Sequence, residues 1–361
     1  MLKNIFKKSK SRPEKFLGID IGTSFIRIIE IGWRNNSFNL ENYCSFKIPY
    51  KEDDITRSYN KENLVLSNND IAEIINFILQ DAKISTKDVG FSIPDFSSFF
   101  TTLQLPTMTK EEISQAVKYE IRPYIPLPLS EITLDWIIIE GEVGKTPLKI
   151  LGVAISNDTI AQYQEIAKLS GLNLKFIEPE AFALTRALSP LVKNQIAALI
   201  DIGARSTTCN ILENGILKVS HSFNIGSNEL TETLAKSLNI EYNEAEELKE
   251  GYGLIFDETD IAFVKSIILP LVDAIINESK KAFRIFFQNE GKEVSKIVLA
   301  GGLAIMPGLK EYFSKETEKE TLIANPFLQI SYPSIIENII EKKGPLYAIA
   351  TGLALKGFEI D

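Results

Sequence analysis

A four-residue phrase, Ile-Asp-Ile-Gly, occurs twice in this chain, at Ile19 to Gly22 and again at Ile200 to Gly203. The two aspartates, Asp20 and Asp201, stand 181 residues apart, half of the 361-residue length. In each copy an apolar, strand-like run ends at Asp-Ile-Gly, a short polar turn follows, and a second β-rich run begins, the pattern of a hairpin. The runs cover Phe16 to Ile31 and Ala197 to Leu212, and further strand-like stretches follow at Phe38 to Tyr43 and Ile216 to Ser222. Two halves that begin alike predict two like-folded domains facing each other.

Helical patterns alternate with these strands. Ile71, Ile74, Ile75, Ile78 and Leu79 recur at helical spacing, and Ser156 to Leu169 reads as a helix closed by Gly171. The alternation places the chain in the α/β class. Pro94, Pro106, Pro123, Pro126 and Pro128 punctuate a stretch in which Thr109 and Glu112 have capping-box spacing, and the segment 96–172 reads as an inserted subdomain. A second insertion, 227–293, is mostly helical, with Leu230, Leu234 and Leu238 on one face and a long segment expected to kink or break at Pro270. Pro345 to Lys356 reads as a final helix with Pro345 in its first turn.

Composition removes several classes of function. Cys44 and Cys209 are the only cysteines and His221 the only histidine, so zinc cages, histidine-based triads and paired disulfide frameworks are excluded, and any metal must sit on oxygen. No apolar run approaches the roughly 18 to 20 residues needed to span a bilayer, and the start lacks the features of a signal peptide; the expected location is the cytosol. Lys3, Lys7, Lys8, Lys10, Arg12 and Lys15 against Glu14 give the first fifteen residues a charge of +5, which leaves −14 for the rest out of a total of −9. An acidic body repels nucleic acid. The basic leader either frays in solvent or lies on an anionic membrane surface, since Leu2, Ile5 and Phe6 fall on one side of a helical turn.

Asp-x-Gly at a strand end, followed by small polar residues, suits a phosphate. Gly22 allows a tight turn in which the backbone N–H groups and hydroxyls of Thr23 and Ser24 converge on one anion. Asp20 would repel phosphate directly but can hold Mg²⁺ through water, because that ion needs only one or two carboxylates. Gly203, Ala204, Arg205 and Ser206 offer a second such turn beside Asp201. A third element, Ile297 to Leu309, is a buried strand, a Gly301-Gly302 turn and a helix start near Pro307, where backbone can approach a flat ligand such as adenine. Each turn alone is equally a structural hairpin, and Phe283, Phe286, Phe287, Phe96, Phe99, Phe100 and His221 read mainly as structural residues, with Phe96 to Phe100 a candidate lining of a peptide groove.

These motifs, in this order, resemble the actin, hexokinase and heat-shock-chaperone ATPase superfamily: a first phosphate loop (Gly18 to Arg27), Glu178-Pro179 in IEPEAFAL, a second loop (Leu199 to Thr208), and an adenosine motif (Ala300 to Leu309). Within it the chain resembles the PilM family of type IV pilus assembly, and more distantly the division protein FtsA. The features that carry this are the basic leader running into FLGIDIGTSFIRIIEI, the segment Leu105 to Trp136, and GPLYAIATGLAL at Gly344 to Leu355. The resemblance implies a duplicated actin-like (ribonuclease H-like) two-lobe ATPase fold with a family-specific third subdomain in lobe 1. It divides the chain into a leader (1–15), lobe 1 (16–95), the inserted subdomain (96–172), a return to lobe 1 (173–196), the lobe 2 core (197–226), its helical insertion (227–293), a return to the lobe 2 core (294–341) and a C-terminal helix back to lobe 1 (342–361).

By residue, the resemblance implies ATP and Mg²⁺ as ligands. Asp20 and Asp201 match the magnesium positions; Gly22, Thr23, Ser24 and Arg27 match the first phosphate loop; Gly203, Ala204, Arg205 and Ser206 match the second. Glu178 falls where relatives orient the attacking water. Glu246 and Lys249 match a helix that contacts the nucleoside, although Asn243 and Glu246 also have capping-box spacing. Gly301, Gly302 and Leu303 match the adenosine motif. Arg205 and Leu303 replace the small residues common there, so Arg205 either obstructs or grips a γ-phosphate and Leu303 narrows the adenine pocket, which favours binding over fast hydrolysis. The expected role is a nucleotide-bound scaffold at the cytoplasmic face of the inner membrane that grips the N-terminal cytoplasmic peptide of a PilN-like protein. The alternatives are an FtsA-like filament former of cell division and a small-molecule kinase of the same superfamily.

Overall fold

In the computed structural model, which describes residues 12–48, 66–255 and 262–359, the first copy of the repeat is a hairpin of β1 (Lys15–Ile21) and β2 (Phe25–Arg34), continued by β3 (Ser37–Lys47). The leader up to residue 11, with Leu2, Ile5, Phe6 and its first four lysines, lies outside the described residues. β1 pairs in parallel with β4 (Asp88–Ile93), and β4 with β8 (Asn173–Pro179), giving the order β3-β2-β1-β4-β8. Phe16 to Ile21 are all buried, as a central strand covered on both faces requires, which explains why β1 reads as a continuous apolar run.

The second copy builds the same arrangement from β9 (Ile196–Ile202), β10 (Thr207–Glu213) and β11 (Ile216–Phe223), with β12 (Lys296–Ala300) and β13 (Glu320–Ile323) parallel to β9, in the order β11-β10-β9-β12-β13. Both sheets therefore run through two antiparallel pairings and then two parallel ones. The chain divides into two compact units, one of Met1–Arg186 with Ile349–Asp361 and the other of Ala187–Ala348.

In the first unit, α1 (Asn68–Asp81) and α3 (Asn157–Leu169) start on serine caps, Ser67 and Ser156, whose hydroxyls accept the amides of Asp70 and Thr159. Gly171, at φ +63°, follows the end of α3 as the sequence predicts. β5 (Ser98–Leu105), β6 (Ile132–Glu140) and β7 (Leu148–Ser156) form a separate sheet in the order β5-β7-β6. That sheet shares its own core with α2 (Lys110–Glu120) through Leu103, Ile113, Val117, Ile121, Ile150 and Ala154. The Thr109 amide donates to the Glu112 carboxylate at 2.7 Å, completing the predicted start of α2. α3, inside the expected insert of 96–172, instead packs on α1 and β8, because its buried face of Ile160, Tyr163 and Ile166 belongs to the larger sheet. α4 (Glu180–Val192) follows β8, and the last helix α10 (Ala348–Lys356) crosses it at Gly352, where a Cβ would stand 1.8 Å from the carbonyl of Ala183.

In the second unit, α5 (Ser227–Leu238), α6 (Tyr242–Tyr252), α7 (Ala262–Glu290) and α8 (Leu309–Thr317) surround one core. α7 passes Pro270 as a single 29-residue helix, so of the expected kink or break the break does not occur. Val264 and Ile268 before the proline and Val272, Ile275 and Ile276 after it are all buried, so packing on both sides outweighs the lost backbone bond. Phe286 is in this core, Phe283 lies at its margin and Phe287 is exposed, so only part of that trio is interior. His221 sits on the edge strand β11 with Nε2 3.4 Å from Glu278. The helix expected near Pro307 begins at Leu309 after a short 3-10 turn, and α9 (Glu337–Lys343) precedes a second such turn leading to α10. Among the described residues no helix is long and apolar enough to cross a membrane.

Candidate functional site

Gly22 donates its N–H to the carbonyl of Phe25 at 2.9 Å, which closes β1 and β2 around a two-residue loop of Thr23 and Ser24. Register sets Asp20 opposite Arg27 on the neighbouring strand. Asp20 is buried; its Oδ1 accepts from the Ser92 hydroxyl at 2.9 Å, and its Oδ2 faces Arg27 Nη1 at 3.6 Å. Burial pushes this carboxyl above the usual range, while Arg27 and Ser92 pull it back. The Arg27 guanidinium lies over the Phe25 ring at 4.9 Å, and its buried Nε has no hydrogen-bond partner.

Glu178 requires a correction. The sequence places it as the carboxylate that orients an attacking water, but its side chain is 1% exposed and both its oxygens are taken. Arg186 Nη1 donates to Oε1 at 2.6 Å, and Oε2 accepts from Arg186 Nη2 at 3.2 Å and Lys356 Nζ at 2.5 Å. Burial alone would raise its pKa, but the two cations hold it down to about 2. Such a carboxylate fastens α4 and α10 to β8 and, fully buried, is closed off from solvent water. Glu180, which the sequence reading passed over, is half-buried in the first turn of α4. Its Oε2 accepts the Asp95 amide at 3.3 Å, and Asp95 in turn accepts the Ala181 amide at 3.0 Å. The Tyr163 hydroxyl, buried without a partner, titrates well above its ordinary range through burial first and then the negative charges of Glu180 and Asp20. An acid at the start of the helix after a strand end was the available signal for Glu180.

The second turn repeats the first. Gly203 donates to the Ser206 carbonyl at 3.0 Å around Ala204 and Arg205, again 181 residues on. The first amides of α5 hold this loop from the side: Ser227 N–H donates to Gly203 and Asn228 N–H to Ala204, both at 2.9 Å. Lys249 is 2% exposed. Its ammonium donates to the Ser227 hydroxyl at 2.7 Å and the Thr231 hydroxyl at 2.6 Å, so the expected nucleoside contact is instead a brace inside the fold. Glu246 stays half-buried on α6, which starts at Tyr242 with Glu241 as its cap, so the Asn243 to Glu246 capping box does not form.

Gly301 joins the second turn. Its φ is +83°, and a Cβ there would come within 2.4 Å of the Ile202 carbonyl and 2.7 Å of Asp201 Oδ1, so only glycine lets this backbone lie against the carboxylate. Gly302 faces open space. Leu303 is buried in the core of the second unit, so its side chain anchors the turn and does not narrow a ligand pocket.

The two turns differ as sites for a divalent ion. Asp201 is partly exposed and suits a hydrated Mg²⁺, which needs few direct protein ligands. Asp20 fits poorly, with Ser92 and Arg27 already facing its oxygens. Among the described residues no group of three or more His, Cys, Asp or Glu is arranged to hold a metal. Both turns do suit an anion, through the backbone amides of their loops and, in the first, the unpaired Arg27 Nε–H.

Solved structures share this architecture. The PilM-PilN type IV pilus biogenesis complex superposes with a TM-score of 0.83 at 22% identity, covering 97% of this chain and 100% of that one. MreB5 of Spiroplasma citri bound to ADP gives 0.55 at 13% identity, covering 95% of each chain. The fold is thus the duplicated actin-like one, as the resemblance implied. Among sequence relatives, the cell division protein FtsA of Bacillus subtilis (strain 168) is 23% identical over 377 residues, 94% of this chain and 82% of that protein. The FtsA of Rhizobium meliloti (strain 1021) is 25% identical over 250 residues, 60% of this chain, and the match spans only 55% of that protein. The family model described as type IV pilus assembly protein PilM matches residues 18–358, and on that match the chain belongs to the PilM family of type IV pilus assembly proteins.

Proposed function

We propose that this protein is an ATP-binding scaffold of type IV pilus assembly that grips the N-terminal cytoplasmic segment of a PilN-like inner-membrane protein. The observation that carries the reading is the full-length resemblance to the PilM of a PilM-PilN complex, in a chain whose two glycine turns close in the same way. That partner would hold the protein at the cytoplasmic face of the inner membrane. In the first unit Gly22, Thr23, Ser24 and Arg27 are assigned to phosphate, and Glu180 replaces Glu178 as the carboxylate that orients water. In the second unit Gly203, Ala204, Arg205 and Ser206 are assigned to phosphate, Asp201 to Mg²⁺, Gly301 and Gly302 to the adenine and Glu246 to the nucleoside. Magnesium would neutralise phosphate charge at Asp201; slow hydrolysis at most is expected, since positioning of water rests on a single half-buried carboxylate.

Calorimetric titration with MgATP, then with a synthetic N-terminal peptide of the PilN-like protein, tests the reading. Binding of both supports it; a folded protein that takes neither refutes it. The full-length similarity to FtsA keeps filament formation as a second reading. Membrane-bound protofilaments in electron micrographs of the purified protein would favour that reading over the scaffold.

A further inference from the structure

We propose that Arg27, and not a magnesium ion, supplies the positive charge beside Asp20, so that nucleotide phosphate binds the first turn with little need of a divalent cation there. The inference rests on the ATP reading above. Three observations within the first unit carry it.

First, the place a metal would take is occupied by the chain itself. Asp20 is 4% exposed, with the Ser92 hydroxyl on Oδ1 at 2.9 Å and Arg27 Nη1 3.6 Å from Oδ2. A second cation at that carboxylate would meet a guanidinium already there, and like charges at such a distance repel. Second, Asp20 does not exhaust Arg27. The Nε–H is buried and unpartnered, a costly state for a donor on a charged group and one that an anionic oxygen would relieve. Third, that guanidinium borders the turn. The nearest side-chain atom to a Cβ built on Gly22 is Arg27 Nη1, at 3.9 Å, so the cation lies against the backbone that forms the loop of Thr23 and Ser24. The second turn differs at this register position. By the repeat, the residue equivalent to Arg27 is Thr208, which pairs with Asp201 as Arg27 pairs with Asp20. The two aspartates therefore differ in their register partners, Asp20 facing an arginine that it orients and Asp201 facing a threonine.

The test is calorimetric titration of the full-length protein with ATP, once in excess Mg²⁺ and once in EDTA, for wild type, Asp201→Asn, Arg27→Gln and Arg27→Lys. Wild-type affinity falls in EDTA with loss of the ion assigned to Asp201, whereas Asp201→Asn, which has no such ion to lose, is expected to bind in EDTA within about threefold of its affinity in Mg²⁺. Arg27→Gln is expected to lose about tenfold or more in EDTA, the scale of one charge-assisted contact to phosphate, and to recover part of it in Mg²⁺. Arg27→Lys keeps the charge but loses the Nε donor, and falls between the two. A dependence of Asp201→Asn on Mg²⁺ of about tenfold or more points to a divalent ion at the first turn and overturns the inference while leaving the ATP reading intact. Equal affinity of wild type and a folded Arg27 variant in EDTA overturns it as well, reducing the pair to a structural bridge. Failure of wild type to bind ATP in either buffer refutes the ATP reading itself, and this inference with it. Circular dichroism of each variant checks its fold, and Arg27→Lys preserves the test if Arg27→Gln does not fold.

Discussion

Arg186 grips both oxygens of Glu178, with Nη1 2.6 Å from Oε1 and Nη2 3.2 Å from Oε2, across eight residues of sequence. The same guanidinium reaches the Gly352 carbonyl at 3.1 Å and Glu359 at 2.8 Å, so one side chain on α4 ties the end of β8 to the C-terminal segment.

Arg186→Ala removes that tie and leaves a buried carboxylate with Lys356 as its one remaining cation. Breaking one partner of a buried ion pair costs about 3–5 kcal/mol, and a loss of this size is expected in urea denaturation of the variant. Glu178→Gln, which removes the charge but keeps the shape, should cost less than Arg186→Ala. The reverse order would show that the arginine acts through packing alone.

The pH dependence has a defined sign. The folded pKa of Glu178 lies at about 2, below its ordinary value of 4.5, so the contribution of this group is fully present above about 4.5. It is lost as pH falls from there toward 2. Wild type should therefore destabilise more steeply than Glu178→Gln across that window, and the two curves should run parallel above it. Thermal melts at half-unit steps of pH measure the difference.

Gly301 and Gly302 are adjacent and should behave oppositely. Alanine at Gly301 meets the Ile202 carbonyl and the Asp201 carboxylate at a φ of +83°, and a cost of at least about 1–3 kcal/mol follows. Alanine at Gly302 meets nothing and should leave the melting temperature unchanged. If Gly302 approaches the adenine as proposed, its alanine variant will weaken ATP binding without touching stability.

Lys249→Met keeps the aliphatic stem and deletes the ammonium that joins Ser227 to Thr231. Loss of these donors is expected to destabilise the second unit by about 1–3 kcal/mol. Hydrogen exchange should rise at the Ser227 and Asn228 amides, which hold the Gly203 turn. A stable Lys249→Met protein with impaired nucleotide binding would restore the direct contact that its burial argues against.

The duplicated hairpin was legible because local chemistry writes it: apolar runs on either side of Asp-Ile-Gly, and a short pair of residues to turn on. The caps of α2 and α3 were legible for the same reason. Direction of a side chain at a strand end was not. Glu178 and Glu180 are equally plausible as carboxylates in the string IEPE, and what separates them is Lys356, 178 residues away on α10. Lys249 and Leu303 were misjudged through a related gap, since family position suggests a ligand contact and only the packed neighbours reveal an interior role. At Pro270 the expected break did not occur, a local rule overruled by burial along the rest of α7.

Arg12 stacks on Trp33 at 4.1 Å and its Nε donates to the carbonyl of Phe358 at 3.3 Å, so the first and last described stretches of the chain are clasped at one spot on the first unit. The whole of Ala187–Ala348 is thus a detour between two segments that rejoin. A pull applied to the two ends would load that clasp and β1 at the centre of the first sheet before any tension entered the second unit. Optical tweezers gripping both ends should record rupture of the first unit ahead of the second, whatever their relative stabilities in denaturant.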